Sequence, residues 1–153
     1  MASPPAGPVR PADKVGPERN GHVILAEDDG PMRRILASGL RKSGFGVSEF
    51  ADGTTLYEFL IKAVLGSALS GVADAVVSDV RMPGASGLRI LHGLRSLDDE
   101  TPVVLITAFG DGATHAEAAR LGASVLDKPF SLGDLANAVH AAIAGRRPPR
   151  ADD

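Results

Sequence analysis

The sequence predicts an α/β protein in which helices cover both faces of a parallel β-sheet. Two observations support this fold class. Short apolar runs rich in β-branched residues alternate five times with segments of helical periodicity. The helical segments also supply the crossover connections that parallel strands require. One domain is predicted over residues 21–145, between a disordered proline-rich tail at residues 1–20 and a flexible polar tail at residues 146–153.

Four of the five predicted strands have the length and composition of buried parallel strands. These four apolar runs cover residues 22–26, 75–79, 102–106 and 124–127. A weaker strand is predicted over residues 46–51, because Asp52 and Gly53 directly after it form a turn signal.

Five helices are predicted between and after these strands. The first begins near Pro31, since proline suits the first turn of a helix, and ends before Gly44. The next three are predicted from residue 54 onward, over 87–95 and over 114–121. The last helix follows a capping pair formed by Ser131 and Asp134. Ile35 belongs to the apolar face predicted for the first helix, and Leu132 is expected to face inward in the last helix.

Composition narrows the class of protein. The chain has 153 residues, of which 44% are hydrophobic and 23% charged, as is ordinary for a soluble globular domain. A net charge of −3 gives no basic surface for direct nucleic-acid binding. Membrane insertion is not expected, because no apolar run approaches the roughly 20 residues that a spanning helix needs. The absence of cysteine excludes disulfides and is consistent with a cytoplasmic location.

Polar residues stand at the carboxyl ends of the predicted strands. Glu27 and Asp28 follow the first strand, and Asp79 closes the third. Thr107 follows the fourth strand, and Lys128 follows the fifth. Because the carboxyl ends of parallel strands meet at one edge of a sheet, these five residues are expected to share one crevice.

These residues resemble the receiver domain of two-component response regulators, over about residues 21–143. The four pieces that carry the resemblance occur in family order, at residues 25–29, 78–84, 106–108 and 127–130. The resemblance implies a flavodoxin-like (βα)5 fold, a three-layer sandwich whose five parallel strands have the order 2-1-3-4-5.

The resemblance also implies a chemistry for Asp79. A histidine kinase or a histidine phosphotransfer protein would transfer a phosphoryl group to this carboxylate, so the chain would be a signalling phosphoacceptor and not an enzyme. Thr107 and Lys128 would each contact a phosphoryl oxygen. The peptide bond between Lys128 and Pro129 is cis in the family.

A magnesium site is implied beside Asp79, because transfer between two anions needs a cation that neutralises their repulsion. By resemblance, Asp28 and Asp79 would ligate Mg²⁺ directly, and Glu27 would do so through water. The backbone carbonyl of Arg81 would complete the protein ligands. Asp29 stands one place beyond the acidic pair and is left out.

The chain departs from the family pattern at two places. Val125 occupies the position, three before the lysine, where an aromatic residue usually takes part in the conformational change. Phe109 could supply part of that aromatic surface. A longer segment at residues 65–72 is expected to form either an extra helical turn or a loop before the third strand.

Several functions remain open. The favoured one is a stand-alone receiver, monomeric or weakly dimeric, whose phosphorylation switches binding to an unidentified protein. A phosphorelay shuttle or sink would use the same site. A docking pseudo-receiver that needs no phosphorylation is a further alternative, which intact Asp79, Thr107 and Lys128 disfavour. A metal-dependent phosphatase would place a second aspartate two positions after its nucleophile, where this chain has Arg81.

Overall fold

The protein is described by a computed structural model over residues 20–66, 69–108 and 112–145. The predicted tail at residues 146–153, all of the N-terminal tail except residue 20, Phe109 and residues 67–68 of the longer segment lie outside these ranges. In the described ranges, strands and helices alternate along the chain. The strands are β1 (Gly21–Ala26), β2 (Phe45–Phe50), β3 (Ala75–Asp79), β4 (Val103–Thr107) and β5 (Ser124–Asp127). The helices are α1 (Gly30–Lys42), α2 (Gly53–Gly66), α3 (Gly87–Ser96), α4 (Gly112–Arg120) and α5 (Leu132–Ala144).

The five strands form one parallel sheet in the order β2-β1-β3-β4-β5. This confirms the predicted fold class and strand order. The order places β1, β3 and β4 side by side at the centre, so the residues that follow these strands emerge at one edge.

Both faces of the sheet are buried, which explains why the central strands are apolar along their whole length. On one face, Ile24, Val76 and Leu105 pack against α2, α3 and α4. On the other face, Leu25 and Val77 pack against α1 and α5. Consecutive strand residues point to opposite faces, so a single strand contributes to both cores.

The helix ends follow local sequence signals. Pro31 lies in the first turn of α1, as predicted. Ser131 and Asp134 form the predicted capping box of α5: the Asp134 N–H donates to Ser131 Oγ at 2.9 Å, and the Ser131 N–H donates to Asp134 Oδ2 at 3.1 Å. At the start of α3, Ser86 Oγ accepts the Arg89 N–H at 3.1 Å. These bonds satisfy N–H groups that a helix leaves without an internal acceptor.

Two residues of the predicted apolar helix faces are exposed. Ile35 is 53% exposed, because α1 packs on the sheet through the neighbouring residues Leu36 and Leu40. Leu132 is 40% exposed. It lies over Gly39 of α1, where an added Cβ would come within 2.9 Å of Leu132 Cδ2. Leu132 of α5 therefore packs against α1.

The longer segment before β3 contributes a buried residue to the core. The helix α2 continues to Gly66, and a 3₁₀ turn follows at Leu69–Gly71. Leu69 is fully buried, and its carbonyl accepts the N–H groups of Val72 and Ala73 at 2.8 and 2.9 Å. Within residues 65–72, α2 therefore includes residues 65 and 66, and the 3₁₀ turn covers Leu69–Gly71. In the part of the chain that the structure describes, no helix is long and apolar enough to cross a membrane.

Candidate functional site

The residues at the carboxyl ends of the strands meet at one edge of the sheet. Glu27 follows β1, Asp79 ends β3, Thr107 ends β4 and Lys128 follows β5. Glu27 is 2% exposed, Asp79 7% and Thr107 4%. Burying three polar side chains to this extent costs free energy unless hydrogen bonds or ion pairs within the protein replace the lost bonds to water.

Asp79 has a defined partner at each carboxylate oxygen. Lys128 Nζ donates to Asp79 Oδ2 at 2.9 Å. The backbone N–H of Arg81 donates to Asp79 Oδ1 at 2.9 Å. These two bonds hold the carboxylate in one orientation at the end of β3.

Glu27 lies against the same pair. Its Oε2 accepts the Asp29 N–H at 3.1 Å, and its Oε1 lies 3.7 Å from Lys128 Nζ. Burial raises the pKa of Glu27 to about 7; the Asp29 N–H opposes this, and the charge of Asp79 adds to it. One ammonium group therefore faces two carboxyl groups that compete for it.

Lys128 remains a cation in this setting. Burial by itself would lower the pKa of Lys128, but the hydrogen bond and the charge of Asp79 outweigh burial and raise it above its usual value. The Lys128 N–H also donates to the Thr107 carbonyl at 2.8 Å, which joins the end of β5 to that of β4. The Lys128–Pro129 peptide bond is cis, as the resemblance implied.

Asp28 is exposed, unlike Glu27, Asp79 and Thr107. It lines an open cleft of about 530 Å³ whose other walls come from the loop between β3 and α3, at Val80, Arg81, Met82, Pro83 and Ser86. Asp29 occupies the N-cap position of α1 and makes no side-chain capping bond there. Asp28 and Arg81 therefore line the same cleft, whereas Asp29 lies at the start of α1.

The donor atoms at this edge are of the kind that Mg²⁺ prefers, namely carboxylate and carbonyl oxygens. Glu27 Oε1 is buried and makes no hydrogen bond within the described ranges, so it has spare accepting capacity. In those same ranges, no three carboxylate or histidine side chains converge closely enough to hold a metal ion by themselves. A Mg²⁺ ion here would therefore keep several water ligands, as Mg²⁺ usually does.

Arg33 belongs to the site although the sequence did not single out a role for it. Its guanidinium donates from Nη1 to the Glu27 carbonyl at 2.8 Å, and its Nε lies 3.5 Å from Glu49 Oε1. Arg33 thus fixes the main chain where β1 leads into the acidic residues. The available signal was its position on α1 shortly after Glu27, from which a long side chain can reach back.

Val125 is partly buried and packs against the core beneath α2, α3 and α4. An aliphatic side chain therefore fills the position where the family usually has an aromatic ring. Phe109, the other aromatic candidate, lies outside the described residues.

Comparisons with known proteins agree with this architecture. The family model of the response regulator receiver domain matches residues 23–140. The transcriptional regulatory protein FixJ of Bradyrhizobium diazoefficiens is 35% identical over 130 residues, which cover 84% of this chain and 59% of FixJ. The response regulator receiver protein CpdR of Brucella abortus is 33% identical over 118 residues, which cover 76% of this chain and 92% of CpdR.

Solved structures give the same result. The receiver domain of the Francisella response regulator 1452 is 26% identical, with a TM-score of 0.70, over 81% of this chain and 97% of that domain. This chain spans little more than half of FixJ but nearly all of CpdR. The sequence match, the strand order and the shared structure agree, and the chain belongs to the family of response regulator receiver domains.

Proposed function

We propose that this protein accepts a phosphoryl group on Asp79 from a phosphorylated histidine of a histidine kinase or a histidine phosphotransfer protein. One observation carries the proposal. The Asp79 carboxylate ends β3 at the sheet edge, bound by Lys128 Nζ on one oxygen and by the Arg81 N–H on the other. A carboxylate that is held in place and next to a cation is suited to attack phosphorus.

In the proposed transfer, an oxygen of Asp79 forms a bond to phosphorus while the bond from phosphorus to the donor nitrogen breaks. The nitrogen keeps the electron pair of that bond, and the product is an aspartyl phosphate. Lys128 exchanges its bond to Asp79 for one to a phosphoryl oxygen, and the Thr107 hydroxyl donates to another. Both residues come from neighbouring strand ends, which are already joined by the Lys128 N–H and the Thr107 carbonyl.

The proposed metal ligands are Asp28, Asp79 and the Arg81 carbonyl, with Glu27 acting through water. Bound Mg²⁺ would supply positive charge that neutralises the phosphoryl oxygens as the transfer proceeds. The protein contributes the orientation: Arg33 holds the main chain at Glu27, and the Arg81 N–H holds Asp79.

We infer that phosphorylation switches binding to a protein partner in the cytoplasm. The match covers 92% of CpdR, which is a response regulator receiver protein. It covers only 59% of FixJ, which is a transcriptional regulatory protein. A phosphorelay shuttle or sink would differ only in how fast the phosphoryl group leaves. A docking pseudo-receiver is the second class of function, and it predicts no phosphorylation. Arg81 stands where a metal-dependent phosphatase would need its second aspartate, so that class is not supported.

Phosphorylation by a small donor tests the proposal without knowledge of the kinase. The full chain is incubated with acetyl phosphate, with Mg²⁺ or with EDTA, and its intact mass is measured. We expect one added phosphoryl group with Mg²⁺ and none with EDTA. Equal addition in EDTA would contradict the metal requirement. No addition from acetyl phosphate or from a panel of purified histidine kinases would favour the pseudo-receiver.

The two adjacent aspartates provide a matched test of the metal ligands. Asp28→Asn should weaken Mg²⁺ binding about tenfold or more, because it removes a charged ligand from the cleft, whereas Asp29→Asn should change it little. Calorimetric Mg²⁺ titration of both variants measures the difference. Equal losses in the two variants would show that the assignment after β1 is wrong by one residue.

A further inference from the structure

The loop between β3 and α3, residues 80–86, carries Arg81, whose N–H donates to Asp79, and the two ends of the loop are joined to each other. The Gly87 N–H donates to the Val80 carbonyl at 3.0 Å. A Cβ on Gly87 would lie 2.7 Å from the Asp79 carbonyl oxygen, so α3 begins directly against the end of β3. In the middle of the loop, by contrast, Arg81, Pro83 and Gly84 are exposed.

The middle of the loop rests on the first residues of α2. The Gly53 N–H donates to the Pro83 carbonyl at 3.0 Å. A Cβ on Gly53 would overlap the carbonyl oxygen of Ala85 and lie 2.7 Å from its carbonyl carbon. These are backbone atoms, which a rotamer change cannot move away. Only glycine allows the loop to lie this close to the helix.

A second close approach reinforces the first. Gly84 has a φ of +86°, and a Cβ on it would overlap Thr54 Oγ1 and lie 3.0 Å from the Thr54 nitrogen. The start of α2 is itself held by Asp52, whose Oδ1 accepts the Thr55 N–H at 2.8 Å. A capped helix end is therefore a firm support for the loop.

We propose that Gly53 is a positioning residue for the site, acting through the loop on Arg81. Contact between the start of α2 and Pro83–Ala85 sets where the Arg81 N–H and carbonyl lie relative to Asp79. The Arg81 N–H bond to Asp79 is part of the structure, whereas the role of the Arg81 carbonyl as a Mg²⁺ ligand rests on the proposed function. A residue of α2 thus influences the affinity for Mg²⁺ through the β3–α3 loop.

Gly53→Ala tests this proposal, with Gly66→Ala as its matched control. Both glycines lie in α2, but a Cβ on Gly66 would have no tertiary neighbour within 4 Å among the residues that the structure describes. Gly53→Ala should weaken Mg²⁺ binding by about 10- to 100-fold, as loss of an outer-shell support commonly does, and Gly66→Ala should change it little. Titrations are made well below the unfolding midpoint of each variant.

A readout that needs no metal separates this proposal from the proposed function. Hydrogen exchange at the Arg81 amide should be faster in metal-free Gly53→Ala than in Gly66→Ala, because the bond to Asp79 is disturbed. Failure of the wild type to bind Mg²⁺ would remove the proposed metal role, and the exchange experiment would still decide whether Gly53 positions Arg81. Lower stability of Gly53→Ala with unchanged Arg81 exchange and unchanged Mg²⁺ affinity would overturn the proposal.

A second pair of variants approaches the same contact from the loop, should Gly53→Ala not fold. Gly84→Ala should weaken Mg²⁺ binding, and adding Thr54→Ala should restore part of it, because removal of Oγ1 relieves the collision. Thr54→Ala by itself is the control. Unchanged Mg²⁺ affinity in Gly84→Ala would contradict a role for this contact.

Discussion

Asp79→Asn is expected to abolish phosphorylation by acetyl phosphate and to leave the fold intact. The amide has nearly the shape of the carboxylate, but it carries no negative charge and is a poor nucleophile. The fold should persist because the backbone of β3 pairs with β1 and β4 independently of this side chain. Intact mass after incubation with Mg²⁺ and acetyl phosphate measures the outcome, and circular dichroism checks the fold.

Asp127→Asn is the matched control for this experiment. Asp127 also ends a strand, but its side chain is half exposed and pairs with His115 at 3.1 Å, away from Lys128 Nζ. We expect Asp127→Asn to accept one phosphoryl group as the wild type does. A phosphoryl group on Asp79→Asn, located on another residue by peptide mapping, would refute Asp79 as the acceptor.

Mg²⁺ affinity is expected to rise with pH up to about 7 and then to level off. The pKa of Glu27 is raised from 4.5 to about 7, chiefly by burial. Below pH 7, Mg²⁺ binding is therefore linked to loss of a proton from this group, because a nearby cation favours the ionised carboxylate even through water. Displacement of one proton gives at most about a tenfold gain in affinity for each pH unit. The rise from pH 5 to 7 can therefore approach a hundredfold, about two such units.

The isosteric variant Glu27→Gln serves as the control, because it keeps the shape of the side chain and cannot titrate. Its Mg²⁺ affinity should be weak and nearly independent of pH over the same range. Calorimetric titrations in buffers of different ionisation enthalpy measure both the affinity and the proton released. The assignment to Glu27 would be wrong if the variant kept the pH dependence of the wild type.

The same shift has a consequence for stability without metal. The folded-state pKa of Glu27 lies above its ordinary value, so its contribution to stability is fully present below about pH 4.5 and is lost as pH rises through about 7. Over that interval the free energy of unfolding of the metal-free wild type should fall relative to that of Glu27→Gln. Bound Mg²⁺ should reverse this trend, because it favours the ionised carboxylate.

Local sequence patterns predicted the strands and helices, but they did not predict which residues of the apolar helix faces are buried. The predicted apolar face of α1 includes both Ile35 and Leu36, yet only Leu36 is buried. Periodicity reports which side of a helix is apolar, but the breadth of the covered stripe depends on the neighbouring elements. Leu132 illustrates the same point, because its partner is Gly39 of another helix.

The sequence by itself determined the fold class, the strand order through the family motifs, and the set of polar residues at the strand ends. These follow from short-range patterns: buried strands are apolar throughout, and loops at the carboxyl edge carry the polar groups. Tertiary structure decided which groups touch. The distances from Lys128 to Asp79 and Glu27 and the raised pKa of Glu27 result from contacts between residues far apart in the chain. The same holds for the packing of the β3–α3 loop against Gly53. Such contacts depend on the packing of β1, β3, β5 and α2 around one edge, which no local pattern specifies.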